Sequence, residues 1–265
     1  MSGAIRLEGD GPVATLWLDR PKKRNAMTHA MWAAIPALLD EAAADRELRV
    51  LVVRGAGEDF CAGADITELG VALAADADGS SYRGTNARAE TALWATPLVT
   101  IAAIDGACLG GGVQLALACD VRVATSRAQL GITAARLGVT YPATSLHRLV
   151  ATVGAPAARR LVLSAEVLDA RNAHRIGLVD RVVEPDDLDD VLGALTAHLL
   201  SLSPVTQLAA KELVAAIERS GAVPHELGRT WERVAQASDD LTEGLAAFAA
   251  RRPPTFGPRP EPRSR

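Results

Sequence analysis

One junction restricts this chain more than any other feature. Leu98 to Ile104 is an apolar run of small and β-branched residues, followed by Asp105-Gly106-Ala107-Cys108-Leu109-Gly110-Gly111-Gly112 and a second apolar stretch, Val113 to Ala118. The pattern predicts a strand buried on both faces, a tight turn and a helix. Glycine lets a backbone turn sharply and approach another group without a Cβ in the way. The first N–H groups of the helix have no partner within it, and its dipole favours negative charge there. Such a junction suits a phosphate, a carboxylate or a developing oxyanion. Taken alone, it serves equally well as a tight turn with close helix packing. A phosphate loop of the Walker type is excluded, because Gly112 is followed by Val113-Gln114 rather than Lys-Ser/Thr. No GxGxxG occurs at the junction, and neither GxSxG nor HExxH is present.

Around this junction the chain alternates strand and helix patterns. Val13 to Leu18 reads as a strand after a turn at 9–12 that marks a hairpin. Arg20 to Asn25 is a basic turn, and Thr28 caps a predicted helix running to about Asp45. That helix places Met31, Ile35, Leu38 and Leu39 on one face, with Pro36 as a candidate kink. Val50 to Val53 is a buried strand, and Gly55 to Gly63 is rich in turn residues. Val71 to Gly84, rich in Ala, Asp, Gly and Ser, is the candidate mobile loop, and a helix follows over Asn86 to Ala95. Val121 to Ala124 is a further strand. From Pro142 the pattern is mainly helical, interrupted at Leu178 to Val183, with late helices at 186–201, 204–219 and 223–250. The Pro- and Arg-rich tail from Arg251 onward is expected to be extended and partly mobile. The whole predicts an α/β core with a helical appendage.

Composition removes several classes of function. A net charge of −4 leaves no basic stripe for general nucleic-acid binding. Cys61, Cys108 and Cys119 are too few, and too apolar in their flanks, for a disulfide framework. No apolar run approaches membrane-spanning length, and the first residues lack the apolar core of a signal peptide. No nucleic-acid partner, no membrane and a cytoplasmic location are the expectations.

A second segment gives the glycine turn a companion. Phe60-Cys61-Ala62-Gly63-Ala64-Asp65-Ile66 follows the buried strand 50–53 through a short turn. Two turns of this kind, each after a buried strand, can each supply one N–H to a shared oxygen. With these residues in place the chain resembles the crotonase (enoyl-CoA hydratase/isomerase) superfamily. The resemblance runs through Arg20-Pro21-Lys22 with Asn25-Ala26-Met27, Phe60 to Ile66, and Pro97 to Asp120. It continues through Leu130-Gly131 with Leu137-Gly138, Ala170 to Val179, and Lys211-Glu212.

The resemblance implies a spiral of ββα units over residues 1–195. A helical region over 196–265 would serve oligomerisation and pocket closure, in a homotrimer or a dimer of trimers. It implies an acyl-CoA thioester as ligand, with no cofactor beyond the coenzyme A moiety of the substrate. The oxyanion-hole donors would be the backbone N–H groups of Ala64 and Gly111. Coenzyme A would lie near Lys22, Ala26, Ala62 and Ile66, with Arg251 or Arg252 reaching its phosphates.

Hydratases of the family use two glutamates, whose positions here are held by Gln114 and Ala134. An amide cannot act as a general base near neutral pH. The resemblance therefore points to a lyase- or isomerase-class acyl-CoA enzyme for which standard hydration is not expected. A non-catalytic acyl-CoA binder is one alternative. Another is a decarboxylase-like or hydrolase-like enzyme using Tyr141, since Gly138-Val139-Thr140-Tyr141 resembles a stretch of methylmalonyl-CoA decarboxylases. Glu68 and Glu90 are the candidates for a displaced carboxylate, and Asp65 reads as a turn residue.

Overall fold

The computed structural model describes residues 4–9, 11–68 and 82–260. The proposed mobile loop therefore lies outside the described residues over 71–81, and its last residues open a helix. Strands β1 (Ala4–Glu8) and β2 (Val13–Asp19) form the expected hairpin, paired antiparallel with Leu7 opposite Leu16. Strands β3 (Val50–Gly55), β4 (Val99–Ile104), β6 (Val121–Thr125) and β9 (Arg181–Val183) then add in parallel, giving one sheet of order β1-β2-β3-β4-β6-β9. A smaller sheet, β5-β7-β8, is built from Ala107–Leu109, Gln129–Gly131 and Val167–Asp169.

Successive strands alternate between the two sheets: β4 passes to β5, and β6 to β7. Earlier in the chain the same step is made by single bridges, Cys61 beside Cys108 and Met27 beside Ala64. Each turn of the spiral thus leaves one strand in the large sheet and one short extended piece beneath it. These three-residue strands carry too little alternation to be seen in sequence.

The large sheet is buried on both faces, as the unbroken apolar run of β3 requires. Leu51 and Val53 belong to the main core. Val50 and Val52 face the opposite way, toward Leu188 and Leu192 of a late helix. Helix α1 (His29–Ala44) starts where expected, with the Thr28 hydroxyl accepting from the Met31 N–H at 3.2 Å. Its buried face includes Trp32, which the sequence pattern did not single out, and Pro36 lies inside a helix that continues past it. Helix α2 spans Tyr82–Ala95 and α3 spans Gly111–Ala118, so α3 begins two residues before its expected start. That difference matters, because Gly111 becomes the first residue of the helix.

Helix α4 (Ala143–Ser164) is broken at Gly154, whose φ of 74° lies outside the helical region. The short α5 (Ala170–Arg175) is capped by the Asp169 side chain on the Asn172 N–H. The late helices are α6 (Leu188–Leu200), α7 (Pro204–Ser220), α8 (His225–Ala237) and α9 (Asp240–Ala249). The expected single helix over 223–250 is therefore two, separated at Ser238 and Asp239. These helices are fastened to the core by cations on carbonyls: Arg49 donates to the Leu200 and Leu202 carbonyls, and Lys211 to that of Leu98.

The tail corrects one expectation. It is extended after Arg251 but not loose as far as it is described. Arg259 is 2 % exposed and donates to the carbonyls of Ala43, Asp45 and Leu48. The end of α1 and the entry to β3 leave those carbonyls without partners of their own, and one guanidinium fork satisfies them together.

Candidate active site

The two turns singled out in sequence meet. Leu109 donates to the Cys61 carbonyl at 2.9 Å and Cys61 to that of Ala107 at 2.7 Å, which lays 61–64 alongside β5. On its other side 61–64 is held by the basic turn, through Ala62 N–H on the Arg24 carbonyl and Met27 N–H on that of Gly63. A Cβ placed on Gly111 would stand 3.5 Å from the Ala64 nitrogen, so the two backbones run in near contact. Neither the Ala64 N–H nor the Gly111 N–H donates to another group among the described residues.

Two glycines make this approach possible for different reasons. Gly110 precedes α3 with φ of 50° and ψ of −103°, a conformation closed to most side chains. At Gly112 an added Cβ would lie 2.4 Å from the Cys61 carbonyl oxygen, well inside van der Waals contact. The helix N-terminus and the 61–64 strap are thereby held against each other.

Ala62, Ala64, Gly111, Gln114, Ala134 and Tyr141 all line one cleft open to solvent, with Ile66 at its wall and 65 % exposed. Of the residues singled out in sequence, Lys22, Ala26, Arg251 and Arg252 are not on its lining. Lys22 is exposed on a 3-10 turn, Pro21–Lys23, within the basic turn Arg20 to Asn25. Arg252 is engaged with Glu243 through a two-pronged contact of 2.6 and 2.8 Å.

No carboxylate lines the cleft among the described residues. Glu68 accepts from the His29 N–H at the start of α1. Asp65 accepts from Thr67 and pairs with Arg20 at 2.5 Å; those hydrogen bonds hold its pKa down at about 2. Glu90, 1 % exposed, lies behind the wall rather than in it. It accepts from the Ser145 hydroxyl at 2.7 Å and from Arg148 at 2.5 Å, while Gln114 Nε2 donates to Ser145 Oγ at 3.0 Å. Burial raises the Glu90 pKa, and Arg148 with the Ser145 hydrogen bond opposes the rise. Neither displaced-carboxylate candidate thus reaches the cleft.

Tyr141 is half-buried, and its hydroxyl donates to the Gly110 carbonyl at 3.2 Å. Loss of solvent around the phenol pushes its pKa well up, so it stays protonated. Polar side chains of the cleft missed in sequence include Thr133 and Asn86; Asn86, on α2, is 7 % exposed and its enclosed Oδ1 has no partner among the described residues. A lone Asn in an Ala- and Thr-rich segment carries no signal of this kind.

An α/β spiral whose two glycine-bearing turns meet over a largely apolar cleft defines a ligand-binding fold of the crotonase type. The family model for enoyl-CoA hydratase/isomerase matches residues 8–259, and the chain belongs to that family. A probable enoyl-CoA hydratase of Mycobacterium bovis is 33 % identical over 95 % of this chain and 97 % of its own. The 2,3-dehydroadipyl-CoA hydratase of Escherichia coli is 34 % identical over 92 % and 94 %. A solved enoyl-CoA hydratase/isomerase family protein from Hyphomonas neptunium superposes with a TM-score of 0.91 at 33 % identity, covering 96 % of this chain and 98 % of that one. Among the described residues, no single helix is long and apolar enough to cross a membrane.

Proposed function

We propose that this protein binds an acyl-CoA thioester in the cleft and holds its carbonyl oxygen with the N–H groups of Ala64 and Gly111. One observation carries the reading: two uncommitted N–H groups, one at a helix N-terminus, lie side by side on an apolar cleft. Withdrawing electron density from the thioester carbonyl acidifies the neighbouring carbon and stabilises an enolate. Fixed dipoles aimed at developing charge contribute strongly in such a setting.

The chemistry that follows differs from hydration by two carboxylates. Gln114 has no proton to exchange near neutral pH, and Ala134 has none at all. Tyr141 stays protonated, and turning its one hydroxyl hydrogen from the Gly110 carbonyl to the ligand would set a donor against a departing or developing anion, as in decarboxylation. The region from 196 onward supports assembly into a trimer or a pair of trimers. Leu241, Leu245 and Phe248 form an exposed apolar row on α9 at helical spacing, Phe248 being 86 % exposed.

Calorimetric titration with butyryl-CoA tests the binding claim, alongside turnover of malonyl-, methylmalonyl- and crotonyl-CoA. Saturable binding with turnover of a malonyl thioester, and crotonyl-CoA left unhydrated, is the expected outcome. Absence of butyryl-CoA binding overturns the reading. Binding without turnover of any thioester establishes a non-catalytic acyl-CoA binder instead.

A further inference from the structure

Each N–H assigned to the thioester oxygen belongs to a peptide group whose carbonyl is already engaged. The Ala64 N–H shares its peptide with the Gly63 carbonyl, which accepts from the Met27 N–H at 2.7 Å. The Gly111 N–H shares its peptide with the Gly110 carbonyl, which accepts twice. One donor is the Gln114 N–H at 3.2 Å, the first hydrogen bond of α3; the other is the Tyr141 hydroxyl, also at 3.2 Å. A carbonyl that accepts a hydrogen bond draws electron density across its amide, and the N–H at the far end becomes a stronger donor. Of these three donors two are main chain. Tyr141 alone is a side chain, and so alone can be altered without touching the backbone.

The fold places that hydroxyl deliberately. Pro142 follows Tyr141, restricts it to extended backbone and stands at the N-terminal cap of α4. The ring packs against the main core, and the hydroxyl meets the carbonyl of the residue that precedes α3. Gly110 is pinned from its other side as well, its N–H donating to the Gly131 carbonyl at 2.8 Å. Its ψ of −103° sets the plane of the 110–111 peptide, and with it the direction of the Gly111 N–H.

We infer that Tyr141 is a positioning residue of the oxyanion hole, whose hydroxyl aims and strengthens the Gly111 N–H through the Gly110 carbonyl. It does so when the bound thioester has no leaving carboxylate. A phenol has one hydrogen to give, so an anion that took it would take it from the hole. The inference rests on the acyl-CoA reading of this cleft, and the experiment separates the two.

Residues 110–112 are the one place in the sequence where glycine follows glycine. Protein labelled with glycine isotopically enriched at its carbonyl carbon and nitrogen therefore gives two carbonyl–nitrogen correlations by NMR, Gly110–Gly111 and Gly111–Gly112. In Tyr141→Phe the Gly110 carbonyl carbon and the Gly111 nitrogen should both move upfield, because that carbonyl has lost a donor. Replacing tyrosine throughout by 3-fluorotyrosine, a more acidic phenol, should move both signals the opposite way; the other tyrosine, Tyr82, opens α2. If Tyr141→Phe does not fold, the fluorotyrosine protein decides this part alone. The infrared carbonyl stretch of butyryl-CoA labelled at its thioester carbon should fall on binding to the wild-type chain. Roughly 10–30 % of that fall should be lost in Tyr141→Phe. Glycine signals indifferent to both changes overturn the inference and leave the acyl-CoA reading standing. So does a carbonyl stretch that is the same in the two proteins, or one whose fall vanishes in Tyr141→Phe, since the hydroxyl would then act on the oxygen itself. If butyryl-CoA does not bind the wild-type chain, the acyl-CoA reading fails first and this inference with it.

Discussion

Gly112→Ala isolates the contact that holds the two halves of the site together. The new methyl carbon would lie 2.4 Å from the Cys61 carbonyl oxygen and 3.1 Å from the Cys61 Cβ. An ordinary contact begins near 3.4 Å, so α3 and the 61–64 strap must separate by about 1 Å. Both partners are backbone within the core and cannot turn aside as a flexible side chain would. Overpacking of this kind typically costs about 1–3 kcal/mol. For a chain of this size each kcal/mol lowers Tm by roughly 2–4 °C, so a drop of roughly 2–12 °C is expected. The shift also separates Ala64 from Gly111, so butyryl-CoA affinity should fall at least about tenfold, because a polar contact weakens steeply with misplacement. Gly193→Ala is the control: it lies in α6 with no atom near its added Cβ, and Tm should hold or rise slightly. Thermal melts and calorimetric titration of the two variants decide the matter. A Gly112→Ala protein that melts and binds like wild type would refute the reasoning.

Arg259→Ala strips donors from the Ala43, Asp45 and Leu48 carbonyls, at a cost of about 2–4 kcal/mol. Tm should drop by at least about 4 °C, and limited proteolysis should cut the tail sooner; no change in either would show that the clasp contributes nothing. Asp65, held at about 2 against an ordinary 3.8, stabilises the fold above pH 4 and loses that effect as pH falls toward 2. The Tm gap between wild type and Asp65→Asn should therefore be widest near neutral pH and close toward pH 2, and a pH-independent gap would contradict this. Restoring carboxylates with Gln114→Glu and Ala134→Glu together should raise crotonyl-CoA hydration by at least about a hundredfold. An unchanged rate in a folded double variant that still binds butyryl-CoA would show that the acyl pocket admits no reacting water.

Much of this arrangement was legible from local chemistry. Thr28 announced α1 because a hydroxyl at that position has one obvious use, and Val50 to Val53 announced a strand covered on both sides. Ala64, Gly111, Gln114 and Tyr141 stand out in the sequence itself, and the cleft gathers all four. What escaped depends on distance along the chain. Asn86 differs from any surface asparagine only in what packs around it, and Glu90 reads as a possible reacting group until Ser145 and Arg148 are seen to enclose it. The three-residue strands β5, β7 and β8 follow from neighbours in the other turns of the spiral. The break at Ser238 and Asp239 carries neither Gly nor Pro, the usual signals of a stop.

The clasp made by Arg259 also sets an order in time. The Ala43 carbonyl waits for a donor that lies 216 residues further along the chain. At roughly 5–20 residues per second of synthesis, that wait lasts roughly 10–40 s. Throughout it the end of the first helix must satisfy its carbonyls with water, even if the early strands have already paired. The front of the molecule is therefore finished by one of its latest parts. A cut anywhere between α9 and Arg259 would leave the clasp held to the end of the first helix by its own contacts alone.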